Sequence, residues 1–351
     1  MRSETVRIGF IGAGSICRGR HLPGLAAIDG ADVVAVCNRS RDSAGSVADQ
    51  FAIPEVEDDW HSLIARDDLD AIFIGTWPYM HREMSVAVLE AGKHCFCQAR
   101  MAINLDEARQ MFAAAQAHPD LVNMICPCPF LCETYVAHMV QAGQLGRIRL
   151  VELHVVNGAN LDEKDVHWRE RREFSGNQIM AMGIYAETLN SLVGSYDVLS
   201  AHIATPIAVK ADADGRSVDI DIPQVVTITG RLESGALAVE HHMGLAEDAS
   251  SGGNQVTIWG SAGTLRYDFG DTVELAAPGQ SFKTADVTDD LKRPWTVESD
   301  FINAVRAARR GVAAQDRPVR PDFTEGLAYM RKIEAVHLSA QTGKAVELSQ
   351  L

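Results

Sequence analysis

Short apolar runs, each followed by a stretch whose apolar residues return every three or four positions, mark the first hundred residues. Val6, Ile8, Phe10 and Ile11 carry the first run (6–11), and Val33, Val34, Val36 and Cys37 the second (32–37). Ile72, Phe73 and Ile74 carry a third (70–75), and residues 94–100 form a fourth strand and its tip. Residues 16–27 read as a helix. So does the stretch with Met84, Val88 and Leu89 on one stripe, which stops at Ala91-Gly92-Lys93. Strand, helix and strand in alternation predict an α/β domain of the Rossmann type, a doubly wound parallel sheet. Ligands in such sheets lie beyond the carboxyl ends of the strands, where Gly12, Asn38, Thr76 and Gln98 all fall.

From about Arg147 the pattern changes to longer, alternating strands at 147–156, 224–231, 236–242 and 255–259. Glu233-Ser234-Gly235 supplies the turn of a hairpin, and Ser250-Ser251-Gly252-Gly253 a surface loop. These features predict an α+β domain with a mostly antiparallel open sheet, one face covered by helices and the other free. Helices at 296–310 and 324–340 are expected to pack back toward the first domain. The expected division is 1–122 and 123–351.

Charge and composition narrow the function classes. Lys and Arg number 32 against 47 Asp and Glu, a balance of −15, which leaves little cationic surface for a phosphodiester backbone. No window holds the ~18 unbroken apolar residues of a membrane span. The first ten residues lack the features of a secretory signal. Seven cysteines, an odd count within apolar stretches, suit a reducing compartment, so the expectation is a cytoplasmic protein with neither nucleic-acid nor membrane partner. Cys95-Phe96-Cys97 and Cys126-Pro127-Cys128 each set two thiols on one face of an extended segment, as zinc ligands or as small core residues. The second reading is favoured, and no metal is expected. His241-His242 faces both ways from its strand and is a poor chelate.

The first strand runs directly into Gly12-Ala13-Gly14-Ser15-Ile16-Cys17. Gly12 permits a tight turn, Gly14 lets backbone approach a pyrophosphate, and the helix opening near Ser15 and Ile16 aims its N–H groups at that anion. The third fingerprint position holds Cys17, small enough for close packing of helix on strand. About twenty residues on, the second strand ends in Asn38-Arg39-Ser40-Arg41, where a dinucleotide fold reads the adenosine ribose. No carboxylate stands there. An amide, a hydroxyl and two guanidiniums favour NADP, with NAD possible. The alternative is that Arg39 and Arg41 are solvated loop charges.

Taken in order, the motifs resemble the Gfo/Idh/MocA family of NAD(P)-dependent oxidoreductases. They are Gly12-Ala13-Gly14, the segment from Thr76 and Trp77 to His81, Leu89-Glu90-Ala91-Gly92-Lys93-His94, Gln144-Leu145-Gly146-Arg147-Ile148, Trp168-Arg169, Gly260-Ser261-Ala262-Gly263-Thr264-Leu265 and Ser339-Ala340-Gln341-Thr342-Gly343-Lys344. The resemblance covers nearly the whole chain. It implies that Thr76, Trp77, His81, Gln98, Trp168 and Arg169 lie around the cofactor, and that the free sheet face makes a homodimer or homotetramer. Members usually carry Glu-Lys-Pro after Ala-Gly-Lys-His, with the lysine beside the reacting hydroxyl. Here those places hold Gln98, Ala99 and Arg100, so the usual lysine role is absent. A second signature, Asp-x-Gly-x-His-x-x-Asp, falls on Ala181 to Thr188, with Gly183 retained and Tyr185 at the histidine place.

Hydride transfer belongs to the cofactor, and the protein supplies orientation and one proton-exchanging group. Tyr185 is the first candidate. Arg100 is expected to lower a nearby phenol's pKa, and Glu187, about 200° around the helix from Tyr185, shares its site only through an irregularity. Asn177 and His154 are candidate substrate contacts; a turn-forming amide and a core histidine are the alternatives. The reading is an oxidoreductase interconverting a secondary alcohol and a ketone on a sugar, polyol or related small polar substrate. The rivals are a glycoside-cleaving or epimerising enzyme that recycles a bound dinucleotide, and a catalytically silent dinucleotide-binding protein.

Overall fold

The computed structural model describes residues 4–162, 166–247 and 253–351; most of the loop expected at 250–253 lies outside them. In chain order the first stretch carries β1 (Val6–Ile11), α1 (Leu22–Ala26), β2 (Ala31–Cys37), α2 (Arg41–Phe51), β3 (Glu55–Val56), α3 (Trp60–Ile64), β4 (Ala71–Ile74), α4 (His81–Glu90), β5 (His94–Cys97), α5 (Leu105–Ala117) and β6 (Asn123–Ile125). There follow α6 (Glu133–Gln141), β7 (Ile148–Val156), α7 (Arg172–Ser175), α8 (Met182–Val193), β8 (Tyr196–Ala204), β9 (Val209–Ala211), β10 (Ser217–Asp219), β11 (Val225–Leu232), β12 (Leu237–Met243), β13 (Gln255–Gly260), β14 (Thr264–Asp268), β15 (Thr272–Ala276) and β16 (Lys283–Thr284). The chain ends with α9 (Val297–Arg309), α10 (Phe323–Thr342) and β17 (Val346–Glu347).

Two compact units result. The first takes in residues through Pro127 together with Thr296–Leu327, and the second Cys128–Trp295 with Ala328–Leu351. The break falls after 122 because β6 pairs with β5 as the last strand of the first sheet. Of the C-terminal helices, α9 and the start of α10 belong to the first unit, and α10 belongs to the second from Ala328 onward.

The first sheet is parallel throughout, in the order β3-β2-β1-β4-β5-β6. Every residue of β4 and β5 is buried, which requires cover on both faces of the sheet and explains why these strands read as unbroken apolar runs. Phe73 stacks on Phe96 at 4.4 Å between ring centroids, and Phe301 of α9 meets both edge-on at 5.2 and 5.7 Å. β3 is two residues long and carries no apolar pattern that sequence could show.

The second sheet has the order β16-β15-β14-β13-β7-β12-β11-β8-β17. Only β7 and β12 pair in parallel; the remaining pairs are antiparallel. Burial alternates along β7 and β12, so one face is covered and the other open. On the covered face Glu240 accepts from Lys332 Nζ of α10 (2.6 Å), Tyr196 Oη (2.6 Å) and His242 Nε2 (3.0 Å), and all four side chains are buried. Burial alone would raise the Glu240 carboxyl; the Lys332 ammonium and the His242 ring overcome it and hold the group at about 2. Among the described residues no helix is long and apolar enough to cross a membrane.

A buried charge stripped of its partner costs about 3–5 kcal/mol. Lys332→Met is therefore expected to lower unfolding stability by about that amount, read as the shift in a urea midpoint at neutral pH. An unchanged midpoint would show that Glu240 does not depend on the ammonium.

Candidate active site

The glycine turn is built by exclusion. Gly12 has φ +79°, and a Cβ there would stand 2.6 Å from Thr76 Cγ2 and 2.7 Å from the Thr76 nitrogen. At Gly75 a Cβ would stand 2.4 Å from Cys17 Sγ and 2.5 Å from the Gly12 oxygen. Cys17 thus serves at the third fingerprint position by filling the space that Gly75 leaves; burial pushes its thiol up to about 12, so it is an inert packing group. A Cβ on Gly14 would meet nothing within 4 Å. Helical structure starts at Ser15, takes a π-turn over Cys17–His21 and continues as α1, with Ser15 and Ile16 exposed. An open backbone at Gly14 leading into a helix start suits a diphosphate.

The tip of β2 divides its labour. Asn38 Oδ1 accepts from the Ala13 N–H at 2.7 Å and its amide nitrogen donates to Ser43 Oγ at 3.0 Å, so Asn38 braces the glycine turn. Ser40 caps α2 by accepting from the Ser43 N–H. Arg41 pairs with Asp58 at 2.5 Å on the surface. Arg39 is exposed and, among the described residues, has no partner.

Beneath the tips of β4 and β5 lies a chain of buried polar groups. His21 Nδ1 donates to Glu298 Oε1 of α9 (2.5 Å), and its Nε2 accepts from the Gln98 amide (2.9 Å). Gln98 Oε1 accepts from the Ala99 N–H (3.0 Å), which fixes which way the amide points. His81 lies between the carbonyl oxygens of Arg100 (2.8 Å) and Thr76 (3.0 Å), and burial lowers its pKa. This corrects the expected role of His81, which has no exposed surface and braces the Thr76 and Arg100 segments from within. Trp77 is half-buried and leads into a single turn at Pro78–Met80. Sequence offered no sign of the His21–Glu298 pair, whose members stand 277 residues apart.

In the second unit Trp168 and Arg169 occupy a short turn, with the guanidinium 4.3 Å from the indole centroid. Buried Glu170 anchors that turn through Lys210 of β9 at 2.7 Å. Asn177 is already engaged at both ends of its amide. It accepts from Arg172 at 2.7 Å and donates to Glu334 of α10 at 3.2 Å, so it ties α10 to its own loop. His154 is half-buried on the open sheet face, 5.1 Å from the His241 ring, because β7 alternates and Val151, Leu153 and Val155 take the covered side. Neither core burial nor a substrate pocket describes that position.

Tyr185 and Glu187 do meet a common neighbour. Tyr185, 7% exposed, accepts from Asn254 Nδ2 at 2.7 Å, with Phe130 and Phe269 against its ring. Burial, followed by the Cys128 thiol, pushes the phenol up to about 12. That direction is opposite to the lowering expected from Arg100, whose own side chain is 3% exposed in the first unit. Glu187 Oε1 accepts from the Cys128 N–H at 3.4 Å, and burial together with the Glu133 charge pushes its carboxyl up to about 8. Cys128 donates to the Ile184 carbonyl oxygen at 3.1 Å and so sits between the two. All seven cysteines are free and buried, and the described residues contain no cluster of metal-ligating side chains.

Comparison with known proteins matches most of the chain to two family models. Residues 6–125 match the family model "Oxidoreductase family, NAD-binding Rossmann fold", and residues 134–266 match "GFO/IDH/MocA C-terminal domain". The 1,5-anhydro-D-fructose reductase of Ensifer adhaerens is 24% identical over 347 residues, 97% of this chain and 98% of that protein. The D-xylose 1-dehydrogenase (NADP(+)) 2 of Haloferax volcanii is 26% identical over 334 residues, 90% of this chain and 92% of that protein. Among solved structures, levoglucosan dehydrogenase in complex with NADH and L-sorbose superposes with a TM-score of 0.84 at 19% identity, covering 98% of this chain and 99% of that one. The glycine turn and the parallel sheet around it are thus the NAD-binding part of a longer match, and the chain belongs to the GFO/IDH/MocA family of oxidoreductases.

Proposed function

We propose that this protein interconverts a secondary alcohol and a ketone on a sugar, polyol or related small polar substrate. The observation that carries the reading is Tyr185, a nearly buried phenol of α8 that accepts from Asn254 and stands at the histidine place of the second family signature. Relatives named for anhydrofructose, xylose and levoglucosan point to the same substrate class. When bound, the nicotinamide dinucleotide supplies the hydride chemistry. The chain's own residues do the rest. The Gly12–Gly14 turn and the helix start at Ser15 and Ile16 hold the diphosphate. Arg39, exposed at the tip of β2, takes a 2′-phosphate, so NADP is the preferred form. Thr76 and Gln98 line the path of the dinucleotide, with His81 and His21 behind them.

Ala99 removes the family's lysine, and Tyr185 carries the proton in its place. A phenol held up to about 12 is protonated at neutral pH and suits donation to a developing alkoxide. Glu187, held up to about 8, keeps a second proton next to Cys128. Buried free thiols fit the reducing cytoplasm. The open sheet face, which exposes Leu237 and Trp259, is the surface on which two copies would pair.

Three measurements test this reading. Tyr185→Phe is expected to slow the chemical step by ~10²–10⁴ with cofactor affinity unchanged; normal turnover across a set of sugars and polyols would exonerate the hydroxyl. Arg39→Asp should reverse the preference between NADPH and NADH in a binding titration, and equal affinities before and after would remove Arg39 from that role. Because the folded Glu187 pKa is raised, its contribution to stability is complete below the unfolded value of 4.5 and is lost as pH rises through about 8. Glu187→Gln should flatten the fall in stability across that window, and an identical slope in both proteins would show that Glu187 does not titrate there.

A further inference from the structure

Behind Tyr185 the second unit holds polar groups that the reading so far does not use. The His242 ring lies 6.4 Å from that of Tyr185, centroid to centroid, and is 1% exposed. Its Nε2 donates to Glu240 at 3.0 Å, which leaves Nδ1 as an acceptor. Among the described residues, two buried acceptors here have no hydrogen-bond partner, His242 Nδ1 and Asn254 Oδ1. Tyr185 Oη accepts from Asn254 Nδ2, so the phenol's own proton still needs an acceptor. The valences are therefore two acceptors and one donor around one aromatic ring. A single water, donating twice and accepting once, satisfies all three, and buried waters typically make about three such bonds.

We propose that the Glu240–His242 pair is the proton acceptor behind Tyr185, joined to the phenol by one buried water shared with Asn254. The proposal rests on the oxidoreductase reading for its role in turnover, though the coupling itself exists without substrate. In alcohol oxidation the substrate hydroxyl proton passes to the Tyr185 oxygen while the phenol proton passes through the water to His242 Nδ1. The electron pair of the C–H bond would leave as hydride, the acceptor being what an oxidised nicotinamide dinucleotide would supply when bound. The new imidazolium is held by Glu240, itself anchored by Lys332 and Tyr196. In reduction every transfer runs in reverse. His242 is thus a positioning and relay residue. The ionisable groups facing it are Glu240 of its own strand, Lys332 of α10 and Tyr185 of α8, with His241 acting from the opposite face of the sheet; Asn254 completes the shell toward the phenol. Burial, with Lys332 and His241 adding to it, lowers the His242 pKa, so the resting ring is neutral and ready to accept.

The test uses the intact protein, without cofactor or substrate, labelled with tyrosine carrying carbon-13 at Cζ. Tyr185→Phe identifies the Tyr185 signal. Titrated from about pH 4 to 9, that signal is expected to show a step where His242 gains its proton, below about 6.5. His242→Gln should abolish the step, and Asn254→Leu should shrink it. A Tyr185 signal that stays flat while the His242 ring proton shifts would overturn the proposal, even if the variants fail to fold. With substrate, His242→Gln should lower kcat about tenfold or more at little change in KM and remove the acid limb of the pH profile. Unchanged kcat would also overturn it. A coupled Tyr185 in a protein that turns over no sugar or polyol would sink the functional reading and leave the relay standing. An active sugar oxidoreductase with an uncoupled Tyr185 would sink the relay alone.

Discussion

The ends of β1 and β4 and the first turn of helix after Gly14 approach one another so closely that neither Gly12 nor Gly75 can carry a side chain. That contact is the constraint on which the nucleotide-binding half depends. It forces the chain to reverse at Gly12 with positive φ and seats Cys17 against Gly75. The backbone at Gly14 is left facing open space at the start of a helix. Asn38 fixes the arrangement by accepting from the Ala13 N–H. A diphosphate needs free N–H groups and no Cβ in the way, and the open space at Gly14 meets the second need before any ligand arrives.

The two units handle buried charge in different ways. In the first, His21, Glu298 and Gln98 form a fixed chain of hydrogen bonds that orients the tip of β5, where the family's usual lysine is missing. In the second, Glu240 is held ionised by Lys332, while burial and the Glu133 charge outweigh Arg293 at Glu187 and push its carboxyl up to about 8. Two carboxyl groups of similar burial thus take opposite protonation states because one faces an ammonium and the other faces Glu133.

Much of the fold was legible in the sequence because its strands are long apolar runs and its glycine turn follows one of them directly. β3 was not, since two residues joined to the sheet through their backbone leave no pattern, and β6 escaped because it is three residues long. The π-turn at Cys17–His21 and the return of α9 to the first unit depend on contacts made hundreds of residues away. Gly12, Gly14 and Tyr185 stand out in the sequence because they sit in motifs of fixed spacing. At Asn38 and Asn177 the amides are engaged within the protein, and in sequence an amide looks the same whether its partner is a ligand or the protein's own backbone and side chains. In sequence His242 shows only as half of an adjacent histidine pair. Its partners Glu240, Lys332 and Tyr185 come together only once the sheet and α10 are in place.

We propose that the turn at Gly12 and Gly14 holds a nicotinamide dinucleotide. Titrating the protein with NADPH and with NADH, while following the fluorescence of the reduced nicotinamide, tests it most directly when Gly12→Val is measured beside the native chain. Saturable binding at one site, lost in the variant while its fold persists by circular dichroism, is the outcome the packing at Gly12 predicts. No saturation with either nucleotide, or equal binding by the variant, would contradict it.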